Sequence, residues 1–394
     1  MSKSTKALTG AEAAAEAMMQ LNPDVVPLYP ITPQTQIVET YSQFVADGLV
    51  DSEIVRCESE HSVMSVAIGA STAGARVITA TSSQGLAFMF EPLFIVPSLR
   101  LPIVLNLVNR ALSGPINIHC DHSDGMAVRD SGWISFYCED AQEVYDYNIM
   151  AIKVAEHKEV QLPVMICQDG FITSHSLVNV DVLETETVRN FVGKREPAFD
   201  FLDTKKPLSV GVLDFYDYFF EHKKQGIDVI NKSKEVIKNV FEQFSKITGR
   251  NYGFIEKYYT EDADYIIVAM SSACGILKNA VDELRRQGKK VGLLKIILFR
   301  PFPELEVAQA LKNAKAVIVL ERASGFGAYS PLYSEISAGL YHYEKKPKIV
   351  NYVFGLGGRN FGMKDALGLY AELENIESQF LDENNKLRYW GVRE

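Results

Sequence analysis

The chain has 394 residues, of which 47% are hydrophobic and 23% charged, and carries a net charge of −10. These are the proportions of a globular protein with a substantial core and two or three domains. The acidic balance and the absence of a Lys/Arg block exclude a nucleic-acid or anionic-membrane surface. Taken in chain order, MSKSTKALTG lacks the apolar core of a signal peptide, and GAEAAAEAMMQ (10–20) has helical composition. Val25, Val26 and Leu28 predict a short buried strand, and Ile37, Tyr41 and Phe44 give the next segment helical spacing to about Ala46. Between them, PITP places Thr32 before a proline, which predicts a helix N-cap at Thr32 and Pro33 at the first helical position. EIVRC predicts a strand and SVMSVAIGASTAGA a small-residue helix. RVITAT predicts another strand, followed by a helix opening near SSQGLAF. The apolar run LAFMFEPLFIVPSL is broken by Glu91 and two prolines and is too short to span a bilayer. IVLNLV predicts a strand leading into a long polar loop, 109–132, and a helix starting near 139–143. PVMICQ is a strand ending at Asp169 and Gly170.

This alternation of apolar runs and helical patterns is the signature of a parallel α/β fold. Residues 175–262 are less regular, with an amphipathic helix expected over 228–247. A second α/β pattern runs through YIIVAM, the helix SSACGILKNAVDELRRQG, VGLLKI, a helix opened by FRPFP, AVIVLE and KIVNYVFG. The expected division is a first domain over 1–200, a connector and arm over 201–261, and a second domain over 262–394. Five cysteines with no CxxC pair suit reduced thiols in a cytoplasm. They also exclude a conventional cysteine-ligated iron–sulfur cluster housed by this chain alone.

The polar residues that interrupt this pattern fall at strand ends: YPITP, CESEH, TSSQG, VNR and QDG. In an open parallel sheet ligands bind outside the carboxyl ends of the strands, so the five segments are expected to share one crevice. Helix N-termini at Thr32–Pro33 and Ser83–Gln84 would offer free N–H groups there. Arg110, directly after an apolar strand, suits an anion such as a small carboxylate; an ion pair with Asp121, Asp124 or Asp130 explains it equally well. Glu60, between a strand and an apolar helix, suits proton exchange, although acidic residues at a helix start also simply complement its dipole. His119, Cys120, Asp121, His122 and Asp124 crowd into six residues and match no zinc spacing, so no metal site is assigned. A long loop with Gly114, Pro115 and Gly125 more often serves a ligand. GLGGR (355–359) lacks both GxGxxG and the P-loop lysine and reads as a tight turn.

YPITPQT, ESEH, TSSQGLAFMFE, NRALSGPINI and DHSD…RDSGW, with LLKIILFRPFP and FGLGGRNF further on, resemble the alpha subunits of 2-oxoacid:ferredoxin oxidoreductases, most closely the pyruvate type. The resemblance runs almost end to end. It implies a pyrimidine-type thiamine-diphosphate-binding domain followed by a domain like the carboxy-terminal domain of transketolase. Glu60 would then hydrogen-bond the pyrimidine ring nitrogen and favour the tautomer that activates the thiazolium. Thr32, Arg110 and Asn117 would bind the substrate, and Pro30, Ser83 and Gln84 would line the cofactor.

The same resemblance implies a cofactor shared with a beta chain, and Mg2+ and [4Fe-4S] clusters on partner chains. Gamma and delta subunits, ferredoxin as electron acceptor and coenzyme A as co-substrate complete the expected system, with no nucleic acid or membrane partner. PITPQT also resembles the branched-chain (2-oxoisovalerate) relatives, and Thr32 stands where the oxalate relative carries arginine. His119–Cys120 departs from the Trp-Asn or Trp-Gly of pyruvate enzymes. Two rival readings are a non-redox thiamine-dependent carboligase and an assembly scaffold; a scaffold has no use for Thr32, Glu60 and Arg110 at separate strand ends.

Overall fold

The computed structural model describes residues 3–197, 203–378 and 387–393. The N-terminal half contains strands Lys3–Leu8 (β1), Val25–Leu28 (β2), Glu53–Arg56 (β3), Ile78–Thr81 (β4), Val104–Asn109 (β5), Ile134–Tyr137 (β6), Val164–Asp169 (β7) and Val178–Leu183 (β8). The C-terminal half adds Ile255–Tyr258 (β9), Tyr265–Ala269 (β10), Val291–Ile296 (β11), Leu298–Arg300 (β12), Ala316–Glu321 (β13), Lys348–Phe354 (β14) and Leu387–Trp390 (β15). Parallel strands buried on both faces read as continuous apolar runs, and β5, β7, β11 and β13 are buried at every position.

The first sheet runs β12-β6-β7-β5-β4. The parallel pair β2–β3 continues it on the β4 side through a Val25–Val77 bridge and a hydrogen bond from Thr79 Oγ1 to Pro27 O (2.7 Å). The second sheet runs β15-β14-β13-β10-β11-β9 and is parallel except for β9. Helix Gly10–Leu21 starts in a capping box, with Thr9 accepting from Glu12 N and Glu12 accepting from Thr9 N. Its alanine face is buried against helix Ala141–Ala155, close packing that small side chains permit.

Several expectations need correction. Thr32 is not an N-cap: the Thr32–Pro33 peptide is cis, Gln34 N and Thr35 N both donate to Ile31 O, and the helix begins only at Thr35. ISFY, between the expected loop and the next helix and assigned to neither, forms β6, and the 109–132 loop holds a short helix at Ser123–Ala127. The amphipathic helix is longer than its apolar spacing suggested, spanning Phe219–Thr248, because its first two turns project away from the body and bury nothing. The strand expected at VGLLKI is β11, but FRPFP does not open a helix at once: Leu298–Arg300 first forms β12, which pairs antiparallel with β6 of the first sheet, and the helix begins only at Glu304.

The two halves are also joined by charge. Lys295, at 1% exposure, donates to Glu139 (2.6 Å) and Glu143 (2.5 Å) at the start of helix Ala141–Ala155, and Lys278 bridges Glu139 (2.8 Å) and Glu256 (2.9 Å). Burial alone would lower the Lys295 pKa, but the carboxylates of Glu143 and Glu139 outweigh it and hold the ammonium charged. Removing one member of such a cluster strands the others in a low-dielectric site, so Lys295→Met is expected to destabilise the chain by about 3–5 kcal/mol. The thermal midpoint against wild type checks this, and an unchanged midpoint would show the cluster to be energetically neutral.

Candidate active site

The strand ends do meet. Arg110, just after β5, lies beside Thr32, and Gly170 after β7 donates to Asn109 O (3.1 Å). Glu60, after β3, opens helix Glu60–Thr72 behind its cap Ser59, which accepts from Ser62 N (3.2 Å). Ser83 follows β4 and opens a short helix, Ser83–Phe88. The adjacency β7-β5-β4, continued by β2–β3, places these ends along one edge, as the crevice rule requires.

Glu60 is 8% exposed, and among the described residues its carboxylate takes no hydrogen bond. It lies against Gly85, where a Cβ would stand 2.8 Å from Glu60 Oε1. The neighbouring Thr81 hydroxyl is buried without a partner. A buried carboxylate normally collects donors from its own chain; this one instead packs against the bare backbone of Gly85.

Arg110 is 7% exposed, and neither Asp121, Asp124 nor Asp130 forms an ion pair with its guanidinium. Asp130 pairs with Arg300 (2.9 Å), and Asp121 accepts from the backbone N–H and hydroxyl of Ser123. The guanidinium instead donates to two carbonyls, Arg110 Nη1 to Thr32 O (2.8 Å) and Nε to Asn117 O (3.1 Å). Burial lowers its pKa, and the charge of Asp124 offsets this only in part. A cation held by neutral dipoles at a crevice is ready for an anion.

Asp124 organises the centre. Its Oδ2 accepts from Ser83 N and Arg110 N (3.0 Å each), and its Oδ1 accepts from Asn109 Nδ2 (2.8 Å) and Gly125 N (2.7 Å). Burial pushes its pKa up to about 6 against those four bonds. The expected free N–H at Ser83 is therefore occupied. Ser83 also adopts φ of +47°, uncommon for a residue with a side chain, while its hydroxyl donates to Ala111 O (2.6 Å). Gln84 is half-buried, and Pro30 and Thr32 are exposed. The Asn117 amide is engaged within the chain: Nδ2 donates to Gly357 O (3.1 Å), and Oδ1 accepts from His119 N (2.7 Å).

A second buried group lies where the halves meet: in the sequence Cys120 and His122 read only with their loop neighbours, and Asp169 only as a strand end. Cys120, His122 and Asp169 place their ligating atoms within 4.8 Å of one another. Asp169 is already served by His122 Nε2 (2.7 Å), by the hydroxyl of Ser272 and by Arg322 at 3.7 Å. Its only sequence signal is an Asp ending one apolar strand and a Glu-Arg ending another. Burial alone would raise the Asp169 pKa, but His122 and Arg322 pull it well below its ordinary 3.8. A lowered folded-state pKa adds stability that is present above pH 3.8 and lost as pH falls below it. Asp169→Asn is thus expected to lower the thermal midpoint at pH 7, with the gap to wild type closing as pH falls below 4. A gap of constant size across that range would show that ionisation contributes nothing.

This arrangement of two parallel sheets, with the crevice at the strand ends of the first, is a transketolase-type fold. A split-gene transketolase superposes with a TM-score of 0.54 at 14% identity, covering 94% of this chain and 100% of that one. A 2-oxoglutarate:ferredoxin oxidoreductase from Magnetococcus marinus superposes with a TM-score of 0.69 at 20% identity, covering 94% of this chain and 65% of the other. The family model "Pyruvate flavodoxin/ferredoxin oxidoreductase, thiamine diP-binding" matches residues 16–242, and "Pyruvate:ferredoxin oxidoreductase core domain II" matches 263–366. The pyruvate synthase subunit PorA of Thermotoga maritima is 50% identical, with 98% of each chain aligned. The ketoisovalerate oxidoreductase subunit VorA of Pyrococcus abyssi is 41% identical over 96% of this chain and 95% of that one. The chain belongs to the pyruvate:ferredoxin oxidoreductase family.

Proposed function

We propose that this chain is the alpha subunit of a thiamine-diphosphate-dependent pyruvate:ferredoxin oxidoreductase. The reaction cleaves the bond between the carboxylate and the 2-oxo carbon of pyruvate. Carbon dioxide leaves, the acetyl group passes to the thiol of coenzyme A, and two electrons pass singly to ferredoxin; the reverse reaction makes pyruvate. The observation that carries this reading is a buried carboxylate, Glu60, and a buried guanidinium, Arg110, neither neutralised by the described residues of the chain.

The residues present fit the pyrimidine side of the cofactor. Glu60 offers a bare acceptor beside Gly85, and the unpartnered Thr81 hydroxyl adds a donor or acceptor. Bound thiamine diphosphate would supply a carbon nucleophile and an electron sink. The protein's part is to accept and return a proton at the Glu60 carboxylate and to hold the substrate carboxylate on Arg110. Thr32 would orient the substrate's oxygens, while Pro30, Ser83 and Gln84 shape the wall.

We assign the diphosphate end, with its Mg2+, to a beta subunit across the site. [4Fe-4S] clusters on a delta chain and a gamma chain linked to coenzyme A would complete the complex, and a cytoplasmic location is in keeping with it. The domain division proposed is 1–200, 201–261 and 262–394, with residues 298–300 lending a strand backwards. Among the described residues no helix is long and apolar enough to cross a membrane.

A branched-chain 2-oxoacid is the second reading, favoured by the VorA relative's 41% identity over nearly the whole chain. The test is the complex purified anaerobically from its native cell and assayed for coenzyme A-dependent dye reduction. Preference for pyruvate over 2-oxoisovalerate supports the proposal, and the reverse preference transfers the chain to the branched acids. No reduction with either acid, despite cluster-containing partners and added thiamine diphosphate, overturns the reaction class.

A further inference from the structure

The GLGGR turn has no place in the reaction described above, yet it is built against the site. Gly355, Gly357 and Gly358 take φ of +63°, +60° and +77°, a left-handed run that side chains disfavour. At two of these positions space forbids a Cβ as well. One on Gly357 would collide with Asn117 Nδ2, and one on Gly358 would stand 2.5 Å from His119 Cβ. The turn therefore lies directly on the loop that follows Arg110.

The contact is also hydrogen-bonded. Asn117 Nδ2 donates to Gly357 O (3.1 Å), Gly358 N donates to Cys120 O (2.7 Å), and Gly357 N reaches Asp121 Oδ2 at 3.4 Å. Asn117 in turn gives its backbone carbonyl to Arg110 Nε (3.1 Å). Residues 113–116 between them are exposed, so the loop has little body of its own to fix Asn117. A continuous path therefore runs from the second domain's turn, through Asn117, to the guanidinium.

We propose that Gly357 and Asn117 are positioning residues for the substrate carboxylate. The glycine turn of the C-terminal half fixes the Asn117 carbonyl, and that carbonyl sets the angle at which Arg110 presents its free edge to the crevice. The C-terminal half thereby takes part in substrate recognition without touching the substrate. This rests on the role of Arg110 given under Proposed function.

The test is a double-mutant cycle in the complex assembled with its partner subunits, reading KM for pyruvate, KM for coenzyme A and kcat. Gly357→Ala is expected to raise the pyruvate KM about tenfold, less than the roughly 100-fold a full ångström of misplacement can cost, with kcat and the coenzyme A KM unchanged. In an Arg110→Ala background the same change should add nothing, because both alterations remove one function. Asn117→Ala leaves the turn intact and should match Gly357→Ala, which keeps the test open if the glycine variant fails to fold. Additive effects on the Arg110→Ala background, or equal losses in kcat and both KM values, would reduce the turn to packing and overturn the proposal. An unchanged pyruvate KM in both single variants, with Arg110→Ala raising it, overturns the proposal alone. An unchanged KM in Arg110→Ala itself overturns the assignment of Arg110 and the proposal with it.

Discussion

A Glu60→Gln complex is expected to assemble normally and to turn over about 10²–10⁴-fold more slowly, the usual contribution of a positioned acid–base group. The substitution keeps the volume that packs against Gly85 and changes only the charge and one acceptor. Glutamine cannot take up and return a proton at that atom, so the loss should fall on kcat. The direct measurement is deuterium exchange at the reactive carbon of bound thiamine diphosphate, followed by quenched-flow NMR. Exchange at the wild-type rate would remove Glu60 from the chemistry and return it to the commoner role of an acidic residue at a helix start.

Arg110→Ala should act on the other parameter. With no carboxylate among the described residues ion-paired to it, the guanidinium has its binding energy available for substrate, and its loss is expected to raise the 2-oxoacid KM about 100-fold. Arg110→Lys should recover little, because an ammonium cannot hold the Thr32 and Asn117 carbonyls and a carboxylate together in one plane. A KM that ignores both substitutions would show that Arg110 only braces the two loops. The pair of variants separates proton transfer from anion binding, since each should leave the other's parameter nearly untouched.

Thr32, Glu60 and Arg110 stand out in the sequence because each breaks an apolar pattern at the end of a strand, where polarity has little structural motive. The alternation of runs likewise exposed most of the parallel core. What stayed hidden depends on residues far apart in the chain. Asp124 is one more acid in a polar loop until folding brings Ser83, Asn109 and Arg110 onto its two oxygens. Thr32 was misread for a local reason: the strand–proline pattern fits a cap, and nothing in it foretells the turn closed on Ile31. FRPFP misled in a different way: its prolines suit a helix start, and nothing local foretells that Leu298–Arg300 pairs with a strand of the first sheet. GLGGR was legible as a turn, but the loop it rests against lies at the opposite end of the sequence.

Because Leu298–Arg300 closes the open side of Ile134–Tyr137, neither half of the chain is finished by its own sequence. Severed near residue 250, the first half would present Ile134–Tyr137 as an open apolar edge strand, a template for aggregation; the second would be left with a segment that has nowhere to go. The polypeptide is thus stitched rather than hinged. Rocking of one half against the other would have to unzip that stitch.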